Sequence, residues 1–476
     1  IQLNWTFYPS DTSINELRIL YSYEKPDYKT PIPDSYTISR PSGYFGKASN
    51  MPQWSIFKRY QVVDNFSLFF GNHSLKLGAD YSYSPWTANI FQNIPGVYTF
   101  LTDKPFDPND PTTYPYMFTY NVGKVLCHFP YHLFGAFVQD SWRIYSKLTL
   151  NIGLRYNFYT SEGVKLAGWN IRNLNPRFGF SFDPVGDGKT VIRGGIGTYT
   201  SNIHANVAGY TSFMSGMEGR TIMFPNYPDP FKPNPFFPPQ PGVVSNIKFD
   251  QMDNQVSPYT LQVTLGAQRE FLLDLSLGAD LVWVRGYRHM YQHQANPVIP
   301  GTYFVRIDPN LGSHLTVVDW GKSDYKGLLL TISKRHSHGW GLDISYTFSR
   351  SWADTESEFS SPDYPYEDPK KTRMWGPNAE DALHRLAVTG IVDLPLGFQL
   401  SGLFYYCSTT PWNAIYSTDV NKDGLISDYV DERRNSRRGF DEYYLNARIS
   451  KYINISQFRL QLLAEGYNIT NRVNFR

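Results

Sequence analysis

His73 to Tyr83 reads HSLKLGADYSY, and within it Leu75, Leu77, Ala79, Tyr81 and Tyr83 alternate with Ser74, Lys76, Gly78, Asp80 and Ser82 without a break. A period of two belongs to an extended strand, whose successive side chains point to opposite faces. One face is apolar and the other carries charge, as a wall between lipid and a wet lumen requires. The pattern recurs at Leu148 to Phe158, where Leu148, Leu150, Ile152, Leu154, Tyr156 and Phe158 oppose Thr149, Asn151, Gly153, Arg155 and Asn157. It recurs again at Leu273 to Trp283 and at Trp340 to Phe348. Each stretch alone also fits a half-buried strand of a soluble sandwich. The aromatic residues repeated on the apolar face at strand ends favour the membrane wall.

The links between strands come in two sizes. Short ones fall at Gly71-Asn72, Ile144 to Lys147, Pro184 to Gly188, Glu270 to Leu272, His336 to Gly339, Pro395 to Gly397 and near Asn454 to Gln457. Long ones run over Pro26 to Gln53, Pro85 to Tyr131, Thr160 to Asn175, Ser201 to Ser257, Gly286 to Asp324, Ser351 to Ala382 and Ser408 to Glu442. Strands of an up-and-down sheet reverse direction each time, so strict alternation puts every long link at one end. Outer-membrane barrels have this asymmetry, with short periplasmic turns and long extracellular loops. The expectation is an all-β, antiparallel, transmembrane barrel with about 16 strands in this chain.

Composition agrees. Aromatics make up 17% of the 476 residues and charged residues 18%, and mean hydropathy is negative. No run of 18 to 20 apolar residues is present to form a membrane helix, which leaves closed barrels as the way to span lipid. The formal net charge of +2 and the absence of a basic block interleaved with aromatics argue against a nucleic-acid partner. Cys127 and Cys407 follow no metal or redox spacing and read as unpaired thiols. The chain opens on Ile1, and Ile1 to Ser10 holds no basic start or apolar signal core, so a processed product or a fragment is expected.

Several blocks resemble TonB-dependent receptors, especially the Oar-like group that carries a carboxypeptidase-regulatory-like domain. They are FGAFVQDSWRIYSKLTLNIGLRY (Phe134 to Tyr156), NPRFGFSFDP (Asn175 to Pro184), GDGKTVIRGGIGTY (Gly186 to Tyr199), SPYTLQVTLGAQRE (Ser257 to Glu270), SDYKGLLLTISKR (Ser323 to Arg335), SYTFSRSWAD (Ser345 to Asp354) and LLAEGYNITNRVNF (Leu462 to Phe475). Asp381, His384 and Arg385 match a recurrent element that precedes a strand. The resemblance implies a 22-stranded barrel in the outer membrane, filled by an N-terminal plug and energised by the TonB complex. Residues 1–476 would then be the barrel domain, without the plug and without the closing strand.

The most chemically specific local motif is DVNKDGLISD, Asp419 to Asp428. Asp419, Asn421 and Asp423 stand at positions 1, 3 and 5 of a calcium loop, with Gly424 at the sharp turn. Val430 occupies position 12, where a bidentate Glu is expected, so Asp428, Asp431 or Glu432 would close the shell. The alternative is an Asx-rich turn holding itself by side-chain to backbone bonds. Cys127, His128 and His132, and likewise His289 and His293, read better as loop residues than as metal pairs. Asp381, His384 and Arg385 read as anchors of a loop-to-strand junction. Gly194, Gly195 and Gly197 lack the strand-turn-helix context of a dinucleotide site. Lys76, Asp80, Asn151, Arg155, Arg177, Arg193, Asp280 and Asp343 form an expected mixed-sign lumen wall.

The Pro-rich MFPNYPDPFKPNPFFPPQPG within Thr221 to Gly242 is expected to be extended and solvated. Trp86, Trp169, Tyr227, Phe231, Phe236 and Phe237 either clamp a ligand or pack among the loops. No nucleophile and base are placed for catalysis, and no cofactor motif other than the calcium-like loop is present. The function expected is ligand import through the outer membrane. A passive porin and a surface adhesin are the alternatives.

Overall fold

The computed structural model describes the chain apart from residues 33–34, 90–93, 124, 162–170, 202–217, 238–242, 247, 273, 303–304, 357–373, 417–419, 422–427, 432 and 476, and the side chains of 243–246. Sixteen long strands follow one another as an antiparallel meander. They are β1 (Gln2–Ser10), β2 (Ser13–Glu24), β3 (Gln53–Phe70), β4 (His73–Asn89), β5 (Leu126–Tyr145), β6 (Leu148–Ser161), β7 (Leu174–Phe182) and β8 (Thr190–Thr200). After the fourth long loop come β9 (Tyr259–Leu272), β10 (Leu275–Gln294), β11 (His314–Ser337), β12 (Trp340–Ala353), β13 (His384–Leu394), β14 (Phe398–Cys407), β15 (Glu442–Ile455) and β16 (Phe458–Gly466). Each pairs with its neighbour in sequence, and β1 and β16 are not paired with each other among the described residues. Short strands at Asp27–Tyr28, Lys248–Gln251 and Gly376–Pro377 add to the edges of β3, β11 and β12.

The accessibility of the two faces is inverted relative to a soluble sheet. On β4, Leu77 and Tyr81 are exposed, whereas Ser82 and Ser84 are buried. Across the register Ala79 meets Ala136, and Leu77 meets Val138 and Phe66. Leu154 joins the same outward band opposite Val138. Apolar side chains therefore face out, and the charged ones face in. Leu75 to Tyr83 is nine residues long, the length of a tilted strand that crosses a bilayer. This is the wall of a membrane barrel.

The short turns lie where the alternation predicts. His338 and Gly339 take φ of 53 and 80 between β11 and β12, the positive pair that matches strand twist in a two-residue hairpin. In the longer turn after β7, Asp183 accepts the Gly186 and Gly188 amides at 2.7 and 2.8 Å. Those amides hold its carboxyl below the usual carboxylate range. One turn differs from expectation: β9 runs through Leu272, so the reversal falls at Asp274 rather than at Glu270 to Leu272. Asp274 takes φ 77, a conformation its short side chain tolerates better than the neighbouring leucines or Phe271 would.

The strands are longer than their lipid-facing stretches. β4 extends to Asn89, β5 begins at Leu126, and β10 and β11 reach Gln294 and His314. Two of the expected long links, Pro85 to Tyr131 and Gly286 to Asp324, are therefore partly strand. Beyond the bilayer the sign of the faces reverses, and Trp86, Ala88, Cys127 and Phe129 point into a dry cluster.

Candidate ligand-facing site

The extracellular mouth is built from these extensions and from the long loops. Trp86, Ala88, Cys127, Phe129 and Tyr159 of β4 to β6 pack with Met290 and Val317 of β10 and β11 and with Phe249 from the strand Lys248–Gln251. Phe57 stacks on Trp86 at 5.0 Å, and Phe129 meets the same indole edge-on at 4.8 Å. Phe249 ties together strands far apart in the meander, so a loop closes part of the mouth. Trp86 is a packing residue. Cys127 is buried and Cys407 half-buried, with no disulfide between them.

A second layer is a six-stranded sheet made wholly of loop segments, in the order Val243–Asn246, Glu218–Met223, Met117–Val122, Val97–Thr99, Thr37–Arg40 and Gly43–Gly46. Three loops distant in sequence thus share one ladder. Its core is Tyr98, Phe100 and Phe118, flanked by Tyr36, Ile38, Phe106, Tyr120, Ile222 and Tyr227. The Pro-rich stretch is not a free solvated loop, because its described part straps one face of this sheet. Tyr98 donates its hydroxyl to the Asn226 and Pro228 carbonyls at 3.2 and 3.0 Å, and burial raises its pKa above the ordinary phenol range. Tyr227 packs on Tyr98, Phe100 and Phe106. Asn234 braces the strap by donating to the Phe224 carbonyl and accepting from the Phe236 amide. Proline leaves few donors here, and these side-chain bonds fill the gap.

Exposure sorts the aromatic candidates. Phe237 stacks on Phe224, and Tyr227 is committed to the sheet core. Phe231 and Phe236 remain exposed although each has a ring contact, Phe231 against Phe118 and Tyr120 of the sheet and Phe236 against Tyr114 of the loop before it. Tyr44 and Phe45 at the edge strand are exposed as well. These four can meet a ligand arriving from outside. Trp169 lies outside the described residues.

Rim carboxylates fasten the mouth to the wall. Asp319 is fully buried, takes Arg288 at 3.1 Å and accepts the Val256 amide. Asp381 is buried at the loop-to-strand junction, where Arg438 pairs with it and the Ser351 amide donates at 2.6 Å. His384 bonds the Tyr346 hydroxyl at 2.8 Å, and Arg385 donates to the Glu380 carbonyl. The structure thus shows an anchoring contact at each of Asp381, His384 and Arg385. Arg438 and Arg288 carry the ion pairs at these rim carboxylates, and neither is singled out by sequence pattern because its partner is far along the chain.

Below the mouth the lumen wall carries paired charges. Arg155 bonds Asp80 at 2.6 Å, Arg193 grips Asp280 through both carboxylate oxygens at 3.0 and 2.9 Å, and Lys76 approaches Glu16 at 3.6 Å. Asp343 accepts from Ser333 at 2.6 Å, and Arg177 covers the Tyr199 ring at 4.4 Å. Two of these pairs reach over a middle strand that bears glycine. A Cβ on Gly135 would meet Arg155 and Asp80 at 2.2 and 2.4 Å, and one on Gly266 would meet Asp280 at 1.9 Å. Glycine in the strand clears the path for a side chain crossing above it. Solvent screens such half-exposed pairs to about 0–1 kcal/mol each, so they set charge positions more than stability.

In the calcium-like motif, Asp419 and Asp423 lie outside the described residues. Asp428 is buried and accepts the Val420 and Asn421 amides at 2.7 and 3.1 Å. Those are the bonds of a self-supporting turn. Among the described residues no three His, Cys, Asp or Glu side chains gather as a metal set. The paired histidines have other company: His128 bonds Thr87, His132 bonds Tyr81, and His289 bonds Ser323.

Outward apolar strands, an inward charged face and a mouth roofed by loops define a membrane-spanning β-barrel. The chain belongs to the outer membrane β-barrel domain family, whose model matches residues 2–166 and 163–424, and its place is the outer membrane. Among solved structures it resembles the outer membrane transporter YddB from Escherichia coli, at 13% identity and a TM-score of 0.61, over 99% of this chain and 64% of that one. The FrpB iron transporter from Neisseria meningitidis aligns with 12% identity and a TM-score of 0.59, over 99% of this chain and 59% of its own. The pyoverdine receptor FpvA from Pseudomonas aeruginosa PAO1 aligns with 12% identity and a TM-score of 0.58, over 99% of this chain and 57% of its own. The chain therefore spans less than two thirds of each of these proteins. No curated protein sequence matches it.

Proposed function

We propose that this chain is the wall of a TonB-dependent transporter that binds a ligand at its extracellular loops and imports it with energy delivered by the TonB complex. The carrying observation is the lumen: an inward face of fixed Arg–Asp pairs at Asp80–Arg155 and Arg193–Asp280, under loops that roof the mouth. Such pairs offer a folded plug hydrogen-bonding positions on the wall. In this reading residues 1–476 supply the barrel domain, and the plug is encoded outside them. The first ligands to try are iron and pyoverdine, which the resembling structures are named for. Uptake by cells carrying the complete gene should fall to background when TonB is deleted or the proton-motive force is collapsed. The complete protein should also stay nearly silent in a planar bilayer. Uptake that persists without the proton-motive force, together with steady conductance, would reject this function in favour of a porin.

Asp419, Asn421, Asp423 and Asp428 are proposed as calcium ligands on their spacing alone. Isothermal titration of the protein with calcium should show one binding event that Asp423→Ala abolishes. No heat at millimolar calcium sinks the assignment and leaves the Asx turn.

A further inference from the structure

The outer face of the barrel carries a feature that transport does not explain. On β9 to β12, Val263, Leu265, Leu281, Trp283, Leu328 and Phe348 line an apolar cleft of about 830 Å³ on the lipid side. Immediately above it, at the extracellular end of the same strands, stand Arg285, Lys326 and Arg350, with Arg433 reaching in from the last long loop. Register fixes their side. Lys326 lies between Trp283 and Arg350, and Asp324 lies between Arg285 and Trp352.

Two tryptophans hold the cations in place. Arg350 lies 4.1 Å and Arg433 5.3 Å from the Trp352 ring, and Arg285 lies 5.2 Å from the Trp375 ring. The two indoles are 6.3 Å apart. One acid, Asp324, is already bonded by Trp283 and Arg285 at 3.0 and 3.3 Å and approached by Lys326 at 3.6 Å. Among the described residues four cations face one carboxylate, a positive excess, and no carboxylate pairs with Arg350 or Arg433. Both of those guanidinium-bearing residues are exposed.

We infer that this is a binding site for a phosphorylated glycolipid of the outer leaflet, with an acyl chain in the cleft and a phosphate on Arg350 and Arg433. Charge complementarity and depth argue for it together. An arginine pair laid on indoles is pre-organised for a phosphate, and it stands where the apolar band ends and lipid headgroups begin. Ordinary interfacial Trp and Arg anchors would hold any lipid. A site built for phosphate discriminates.

The test uses the complete protein in detergent and native mass spectrometry. Probes are bisphosphorylated lipid A, the same lipid after phosphatase treatment, phosphatidylcholine and inorganic phosphate. Lipid A should be retained and the other two lipids lost. Arg350→Ala with Arg433→Ala should weaken retention roughly 30-fold, since each cation near an anionic lipid contributes about fivefold. Arg350→Lys with Arg433→Lys keeps both charges but loses the planar fork, so its retention should fall between the parent and the double-alanine variant, showing that the loss is not misfolding. Equal retention of the dephosphorylated lipid, or of lipid A by the double-alanine variant, overturns the site. Complete displacement by millimolar inorganic phosphate overturns the lipid assignment.

Discussion

Leu330→Arg should destabilise the barrel by roughly 2–4 kcal/mol, the cost of a cation at the bilayer midplane, while Ser345→Arg on a nearby strand should cost about 0–1 kcal/mol. Leu330 is 39% exposed and lies between Ala279 and Tyr346 on the outward face, midway between Lys326 and Lys334. An arginine there must snorkel or drag water into hydrocarbon. Ser345 shares the inward face with Asp343, so a new arginine meets water and a carboxylate. Equilibrium unfolding in lipid vesicles measures both, and the heat-shifted gel mobility of a folded barrel gives an independent check. A soluble sandwich would reverse the order. If Ser345→Arg proved the more damaging substitution, the assignment of faces, and the membrane with it, would be wrong.

That test rests on the part of the structure most legible in sequence. Inside the bilayer, lipid and lumen impose opposite demands on neighbouring residues, so alternation at Leu75 to Tyr83 survives as a pattern. Above the bilayer the demands change sign along the same strand. Trp86 and Ala88 are inward and apolar while Thr87 faces out, which reads in sequence as the end of a strand rather than its continuation. Links therefore look longer than they are, and the extensions of β10 and β11 go unseen.

The mouth is less legible for a different reason. Tyr36, Tyr98, Phe118 and Tyr227 come from different stretches of the chain, and only the folded sheet brings their loops side by side. No local period records that meeting. The same holds for Arg438 with Asp381 and Arg288 with Asp319, whose partners no spacing rule connects. The lumen glycines are a middle case. Gly135 and Gly266 stand at lumen-side positions between unbroken apolar alternates (Phe134, Ala136; Leu265, Ala267), but the Arg–Asp pairs that need them emerge only from three-strand register.

Gly96→Ala should dissolve the loop sheet and leave the barrel standing. Gly96 has φ +90, and a Cβ there would meet the Phe118 ring at 2.1 and 2.5 Å. Phe118 cannot give way easily, because it is buried against Tyr98 and Tyr36. Backbone strain of about 1–3 kcal/mol and overpacking of about 1–3 kcal/mol act on the same few residues. A loop assembly has little stability in reserve against both. Gly301→Ala is the control, since its φ of +83 is similar but nothing lies within 4 Å of the added Cβ. Limited proteolysis should cut Gly96→Ala cells rapidly within residues 94–123 and 218–237, cut Gly301→Ala cells no faster there than the parent, and leave the gel mobility of both barrels unchanged. Because Phe231 is held by Phe118 and Tyr120, ligand uptake should fall with the sheet. Uptake at the parental rate after the loops have become protease-sensitive would remove this sheet from the ligand-binding surface and shift attention to the cluster around Trp86 and Phe249.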